Sequence, residues 1–129
     1  VVSPSGGATS TELTYDPPAS VFALPFSAGS TWTSTSTVSG TAEGVITAYS
    51  EQYSSLVDEV GTMTTPYGAF PVLRVATDLT RTEGLATLTT SRTFAWVAEC
   101  FGPVATVTSQ AFESGAEFSN DAEVRRLGP

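Results

Sequence analysis

The chain contains no histidine and no lysine. The first absence removes the most versatile general base and the commonest metal-ligating side chain. Neither a Ser-His-Asp triad nor a Cys-His pair can be assembled from the chain's own residues. One cysteine without histidine is a very poor start for a zinc site. The second absence removes Schiff-base chemistry. The glycine patterns of a nucleophile elbow, a phosphate loop and a dinucleotide fold are missing too. No cofactor and no metal are therefore expected, and the chain reads as non-enzymatic. Charge is also scarce. Only 14% of residues are charged, and five arginines face 13 acids for a net charge of −8. That balance excludes nucleic acid and anionic membrane surfaces as partners, because both demand clustered basic residues. The acids are scattered, so they serve solubility rather than a focused field. No apolar run approaches the ~18 residues of a membrane span. The lone thiol, Cys100, cannot close an intrachain disulfide. It is either buried as a small apolar group or free for an intermolecular bond, and burial is the expected state.

What is present is hydroxyl and alternation. Serine and threonine fill 37 of the 129 positions, 16 and 21 respectively. Threonine is β-branched and suits a pleated, half-exposed surface. A charge-poor, Thr-rich surface is a habit of all-β proteins kept outside the cytoplasm, so an extracellular or cell-envelope location is expected. The opening "VVSPSGGATS" reads as the start of a processed mature chain or of a trimmed piece. The length is that of one domain, and a domain of this size buries about two-thirds of its unfolded surface.

Residues 1–9 are small, polar and punctuated by Pro4, Gly6 and Gly7, as a linker-like tail is. Residues 10–129 form the single β domain. Period-two alternation runs through almost all of it. "STELTYD" predicts a short strand. "PPASVFALPFSAG" predicts a Pro-rich connection pinned to the core by Val21, Phe22, Leu24 and Phe26. "STWTSTSTVSG" predicts a strand with Trp32, Ser34, Ser36 and Val38 on one face. "EGVITAYSEQYSSLVDEV" predicts a longer strand, bent midway, with Val45, Thr47, Tyr49, Glu51 and Tyr53 on one face. Thr65-Pro66-Tyr67-Gly68 fits a type I turn joining "LVDEVGTMT" to "AFPVLRVATDL". With a plain two-residue apex Glu59 falls opposite Arg74; with a bulge at Gly68, Val60 does. Pro71 belongs at an edge, at a bulge, or where its missing N–H faces away from a partner. A further turn is expected at Arg81-Thr82-Glu83-Gly84, then a strand with Leu88, Phe94 and Trp96 on one side, then a turn at Gly102-Pro103. The last segment is either a helix capped by Ser119 or Asn120 over Glu123, or a turn at Asn120-Asp121 and a strand ending at Leu127. The strand is preferred.

Carboxylate pairs are the remaining route to catalysis, and they fail on spacing. Asp58 and Glu59 are adjacent, so on a strand they face opposite sides. Glu51 and Glu59 are about 26 Å apart at ~3.3 Å per residue, beyond any glycosidase separation. Both are expected as solvated strand-face acids. Glu113, Glu117, Asp121 and Glu123 offer a calcium alternative without the EF-hand spacing; ordinary surface acids are the preferred reading. The aromatics Trp32, Tyr49, Tyr53, Phe70, Phe94 and Trp96 are either core or the lining of a binding groove for an apolar ligand or glycan. Tyr67, at the predicted turn apex, is either incidental or an anchor for a partner.

The stretches "LPFSAGSTW", "VDEVGTMTTPYGAFPVLRV" and "FAWVAECFGPVATV", in that order, resemble a loose group of bacterial secreted and envelope proteins of uncharacterised function. An extended G-T-x-x-x-P-x-G-x-F-x-x-L-R hairpin is followed there by an aromatic strand and a G-P-V turn. The resemblance covers most of residues 24 to 107. It implies an antiparallel, strongly curved sheet similar in outline to periplasmic lipoprotein-carrier half-barrels, and it carries no active-site residue. Such carriers plug their concave face with helices, and no helix of that kind is legible here. The fold expected is thus all-β, a single-domain, strongly curved, mostly antiparallel sheet of half-barrel or sandwich-like form. Two roles fit it. One is a surface or extracellular structural subunit that self-associates through sheet edges, with the N-terminal tail and "STELTY" donated as a strand to a neighbour. The other is a binding module that holds an apolar ligand or glycan on an aromatic concave face.

Overall fold

A computed structural model describes residues 11–128, together with the backbone of residues 2 and 3. Among the described residues all the regular structure is β. The strands are β1 (Val2–Ser3), β2 (Thr11–Asp16), β3 (Thr31–Ala42), β4 (Val45–Thr65), β5 (Gly68–Glu83), β6 (Ala86–Ala98), β7 (Gly102–Ser109) and β8 (Asp121–Arg126). They form one open antiparallel sheet whose spatial order is the chain order, β1 to β8. Among the described residues there is no helix, and the C-terminal segment is the strand β8.

The alternation of "TWTSTSTVSGTA" makes β3: its burial runs exposed, half-buried, exposed, buried, and Trp32, Ser34, Ser36 and Val38 share the inward face. β2 approaches β3 very closely at Gly40, where an added Cβ would meet the Glu12 carbonyl oxygen at 2.0 Å and where φ is +149°. Only glycine permits that contact. The two-residue turn Glu43-Gly44, with φ of 50° and 82°, then reverses the chain into β4. Positive φ at both positions is the hairpin geometry whose twist matches the strands.

β4 and β5 form the longest hairpin. Its apex is Pro66-Tyr67, closed by the Thr65–Gly68 pair, and Glu59 lies opposite Arg74. Tyr67 N–H donates to Thr65 Oγ1 at 3.1 Å, and that hydroxyl reaches Gly68 O at 3.1 Å, so threonine fixes the turn locally. Pro71 lies one residue beyond the last β5–β6 pair, Val72–Ala98, so no β6 partner awaits its missing N–H. The register shifts between Val57 and Glu59, a bulge near the end of the stretch for which a midway bend is expected. Two turns are displaced from their expected positions, the first later in the chain and the second earlier. The β5–β6 turn is Gly84-Leu85, and the β6–β7 turn is Glu99 to Phe101, with Gly102 and Pro103 already in β7.

The sheet carries two thin cores, one on each face. Val72 and Val75 lie three apart on β5 and therefore point to opposite sides. On the front face Val57, Val75 and Ala95 meet Trp32, Leu73 and Val97. Phe22 and Phe26 of the 17–30 connection cover them, with Phe26 stacked on Trp32 at 5.5 Å. Val21 and Leu24 of the same connection are exposed and do not pin it. On the back face Val72, Ala98 and Val104 meet Met63, Phe70, Trp96 and Leu127. There the 110–120 segment lies across the sheet, and Phe118 stacks on Phe94 at 5.4 Å. Irregular segments thus cover part of both faces of the sheet.

Candidate functional site

The chemistry-bearing side chains gather in two clusters, one per face. The front cluster is centred on Glu51. Alternation sets Tyr49, Glu51 and Tyr53 on one side of β4, and register sets Glu51 beside Arg81 of β5 and Ser36 of β3. Tyr15 joins from β2, through the Tyr15–Val38 and Val38–Tyr49 pairs. Glu51 is only 1% exposed. It is no solvated strand-face acid, because Arg81 lies across from it. Arg81 donates to Glu51 Oε1 from Nε at 3.0 Å and from Nη2 at 2.6 Å. The Tyr53 hydroxyl donates to the other oxygen, Oε2. The Arg81 guanidinium also sits 4.6 Å above the Tyr49 ring.

The surroundings shift the titration of Tyr53, Tyr15 and Arg81. Burial, and then the bond to Glu51, push the Tyr53 hydroxyl far above its ordinary value. Burial and the Glu51 charge raise Tyr15 as well. For Arg81, burial works against the charge, but the bond to Glu51 and the neighbouring phenols outweigh it, so the guanidinium holds its proton more tightly. Both carboxylate oxygens of Glu51 are engaged. Arg81 and Tyr53 take up the two oxygens, while the buried Ser36 hydroxyl has no hydrogen-bond partner among the described residues.

The back cluster is centred on Arg74, whose side chain is mostly buried. It clasps Asp58 with Nε at 2.9 Å and Nη2 at 2.7 Å, and Glu117 with Nη2 at 2.9 Å and Nη1 at 3.3 Å. Glu59 adds a contact at 3.6 Å. The guanidinium lies 4.3 Å over the Phe94 ring. Asp58 and Glu59 therefore act on one partner, against the expectation from strand parity. The bulge at Asp58 adds one residue to β4 there and suspends the alternation. Bonds to Asp58 and Glu117 hold the Arg74 proton firmly.

A groove of about 380 Å³ runs along the back face. Thr31, Thr33, Leu56 and Phe94 line it, and Asp78 and Arg92 wall one side with a 2.6 Å ion pair. Of the aromatics singled out in the sequence, Trp32, Tyr49 and Tyr53 stand on the front face, while Phe70, Phe94 and Trp96 stand on the back. No single concave face collects them. Leu88 is exposed rather than packed with Phe94 and Trp96, because the shift between Arg81 and Thr82 disturbs the pairing beside it. Tyr67 is exposed at the hairpin apex, and its hydroxyl donates to Gly128 O at 2.9 Å, tying the apex to the C-terminal segment. Cys100 is exposed, not buried: it sits in the β6–β7 turn with φ of 66°, a position that has no core behind it.

The four C-terminal acids go separate ways. Glu113 accepts from Gly115 N–H, Glu117 binds Arg74, the Asp121 carbonyl accepts from Gln110, and Glu123 pairs with Arg125. Among the described residues no group of three or more potential ligands is placed to hold a metal. Also among the described residues, no helix is long and apolar enough to cross a membrane. The tail 1–9 lies outside the described residues, apart from the backbone pairing of Val2 with Glu12 and Ser3 with Thr11. Sequence reasoning missed Arg81 and Tyr15 as partners of Glu51. The signal was parity on β4, but reading it required the β4–β5 register. No protein-family model matches this chain, and neither a curated protein nor a solved structure matches it.

Proposed function

We propose that the protein is a non-catalytic structural subunit of an extracellular or cell-envelope assembly, joined to neighbours through the edges of its sheet. The observation that carries the reading is the ratio of covered to uncovered apolar side chains. Among the described residues eight hydrophobic side chains are buried, while twelve large ones are exposed, from Val21 and Leu24 to Phe101, Phe112 and Val124. Contiguous exposed apolar patches mark association sites, and these side chains are the surface that a partner would cover. The open sheet supplies the means, since an edge strand presents unpaired backbone groups to a further strand. The engagement of Glu51, Asp58, Asp78 and Glu117 in ion pairs supports a role without acid–base chemistry. The second reading, a module that binds an apolar ligand or glycan, is favoured by the back-face groove with its Leu56 and Phe94 floor.

Light scattering of the full chain over a range of concentrations tests the proposal, repeated on a chain lacking residues 1–10. Association of the full chain is expected. Loss of association on truncation assigns it to strand donation by the tail. A strictly monomeric full chain refutes the assembly reading and leaves the groove.

A further inference from the structure

We propose that β8 is a self-recognition edge: two copies pair antiparallel through β8 about a two-fold axis at Val124, so that two sheets become one. This rests on the assembly reading and gives it a partner and a register.

β8 is the last strand of an open sheet, and all six of its residues are exposed. One side is bound to β7 through the pairs Val107–Val124, Thr108–Glu123, Thr106–Arg125 and Ala105–Arg126. Among the described residues no strand pairs with the other side. Natural edges are commonly guarded by charged side chains, lysine above all, by proline or by a bulge. β8 has no lysine and no proline, and the irregularity in its pairing lies at its beginning, between Thr108 and Ser109 of β7. Four of its six residues are charged, but the charges are divided by sign along the strand. Asp121 and Glu123 occupy the first half; Arg125 and Arg126 occupy the second. A parallel copy would align like charges. An antiparallel copy aligns opposite ones.

Symmetry narrows the register. The two-fold axis of an antiparallel pair stands normal to the sheet, so opposed residues lie on the same face and differ by an even number. An axis at Glu123 opposes two carboxylates. An axis at Arg125 opposes two guanidiniums. An axis at Val124 sets Val124 against Val124, Glu123 against Arg125 twice, and Ala122 against Arg126. Directly opposed side chains stand about 4.5–5.5 Å apart at Cβ, where opposite charges attract and like charges repel. Val124 is 55% exposed, so the contact at the axis covers apolar surface that the single chain leaves in water. In the free chain Arg125 already reaches Glu123 of its own strand at 2.7 Å. Pairing exchanges that contact for two between copies. The charges therefore select partner and register, while the new backbone bonds and the valine contact drive association.

Sedimentation velocity on the full chain, with circular dichroism as the check on folding, tests the register. The wild type is expected to approach twice the 13.4 kDa chain mass as concentration rises. Glu123→Arg and Arg125→Glu are each expected to abolish that association, since each opposes like charges at both contacts. Mixed one to one, the two variants should restore it, because every 123–125 contact then joins opposite signs. Single variants that associate like the wild type overturn the β8 edge while leaving the assembly reading intact. Loss in the single variants without recovery on mixing overturns the Val124 register. A monomeric wild type removes both readings together.

Discussion

Replacing Arg81 by Met should destabilise the fold far more than replacing its partner Glu51 by Gln. The two halves of the pair are unequally wet: the Glu51 side chain is 1% exposed and the Arg81 side chain 35%. Removing Arg81 strands a carboxylate that water cannot reach, with Tyr53 as its remaining donor. A buried charge left without its partner costs about 3–5 kcal/mol. Glu51→Gln keeps the shape and an acceptor, and the freed guanidinium can turn toward solvent. The loss there is about 1–2 kcal/mol, the difference between a charge-assisted and a neutral hydrogen bond. The double variant carries no buried charge, so it should be more stable than Arg81→Met alone. Urea unfolding followed by the fluorescence of Trp32 and Trp96 measures all three. With a slope of about 2 kcal/mol per molar urea, Arg81→Met should lower the midpoint by roughly 2 M. Equal losses in the two single variants, or a loss below about 1 kcal/mol for Arg81→Met, would refute the argument that burial of Glu51 sets the cost.

Other consequences are open to simpler measurements. Tyr53 and Tyr15 hold their protons more tightly folded than unfolded, so their contribution is complete below the ordinary value of 10.0 and is lost as pH climbs above it. The urea midpoint should fall above that pH, and Tyr53→Phe should flatten the fall. Gly40→Ala forces a Cβ to 2.0 Å from the Glu12 carbonyl oxygen, so it should cost more than about 2 kcal/mol. Gly61→Ala, with nothing within 4 Å, should leave the midpoint nearly unchanged. Cys100 should react with a disulfide reagent at one thiol per chain without denaturant; a need for unfolding would contradict its exposed position. Arg74→Gln should speed amide exchange around Glu117 and Phe118, because it removes the clasp on the segment that stacks over Phe94.

How far the sequence could be read depended on whether parity survived. On β3 the ten residues from Thr31 to Gly40 alternate without interruption, and the inward set Trp32, Ser34, Ser36 and Val38 was legible residue by residue. The hairpin at Pro66-Tyr67 was legible for a different reason: a proline, a glycine and a turn-forming threonine stand at the positions that a two-residue apex demands. Parity fails at Asp58. One additional residue there reverses the faces of everything beyond it in β4, and neither Asp58 nor its neighbours carry a mark of the bulge. The consequences are concrete: Asp58 and Glu59 converge on Arg74 instead of parting. The aromatics divide for a simpler reason. Phe94 and Trp96 sit opposite Ala76 and Arg74 on the back face, while Tyr53 sits opposite Leu79 on the front. Which face an aromatic occupies is a property of the pairing, not of its own strand. The same holds for Glu51, whose burial depends on Arg81 thirty residues away. Local alternation predicts strands and turns because those are made of near neighbours. A site assembled across strands is a statement about register, and here a single inserted residue decides it.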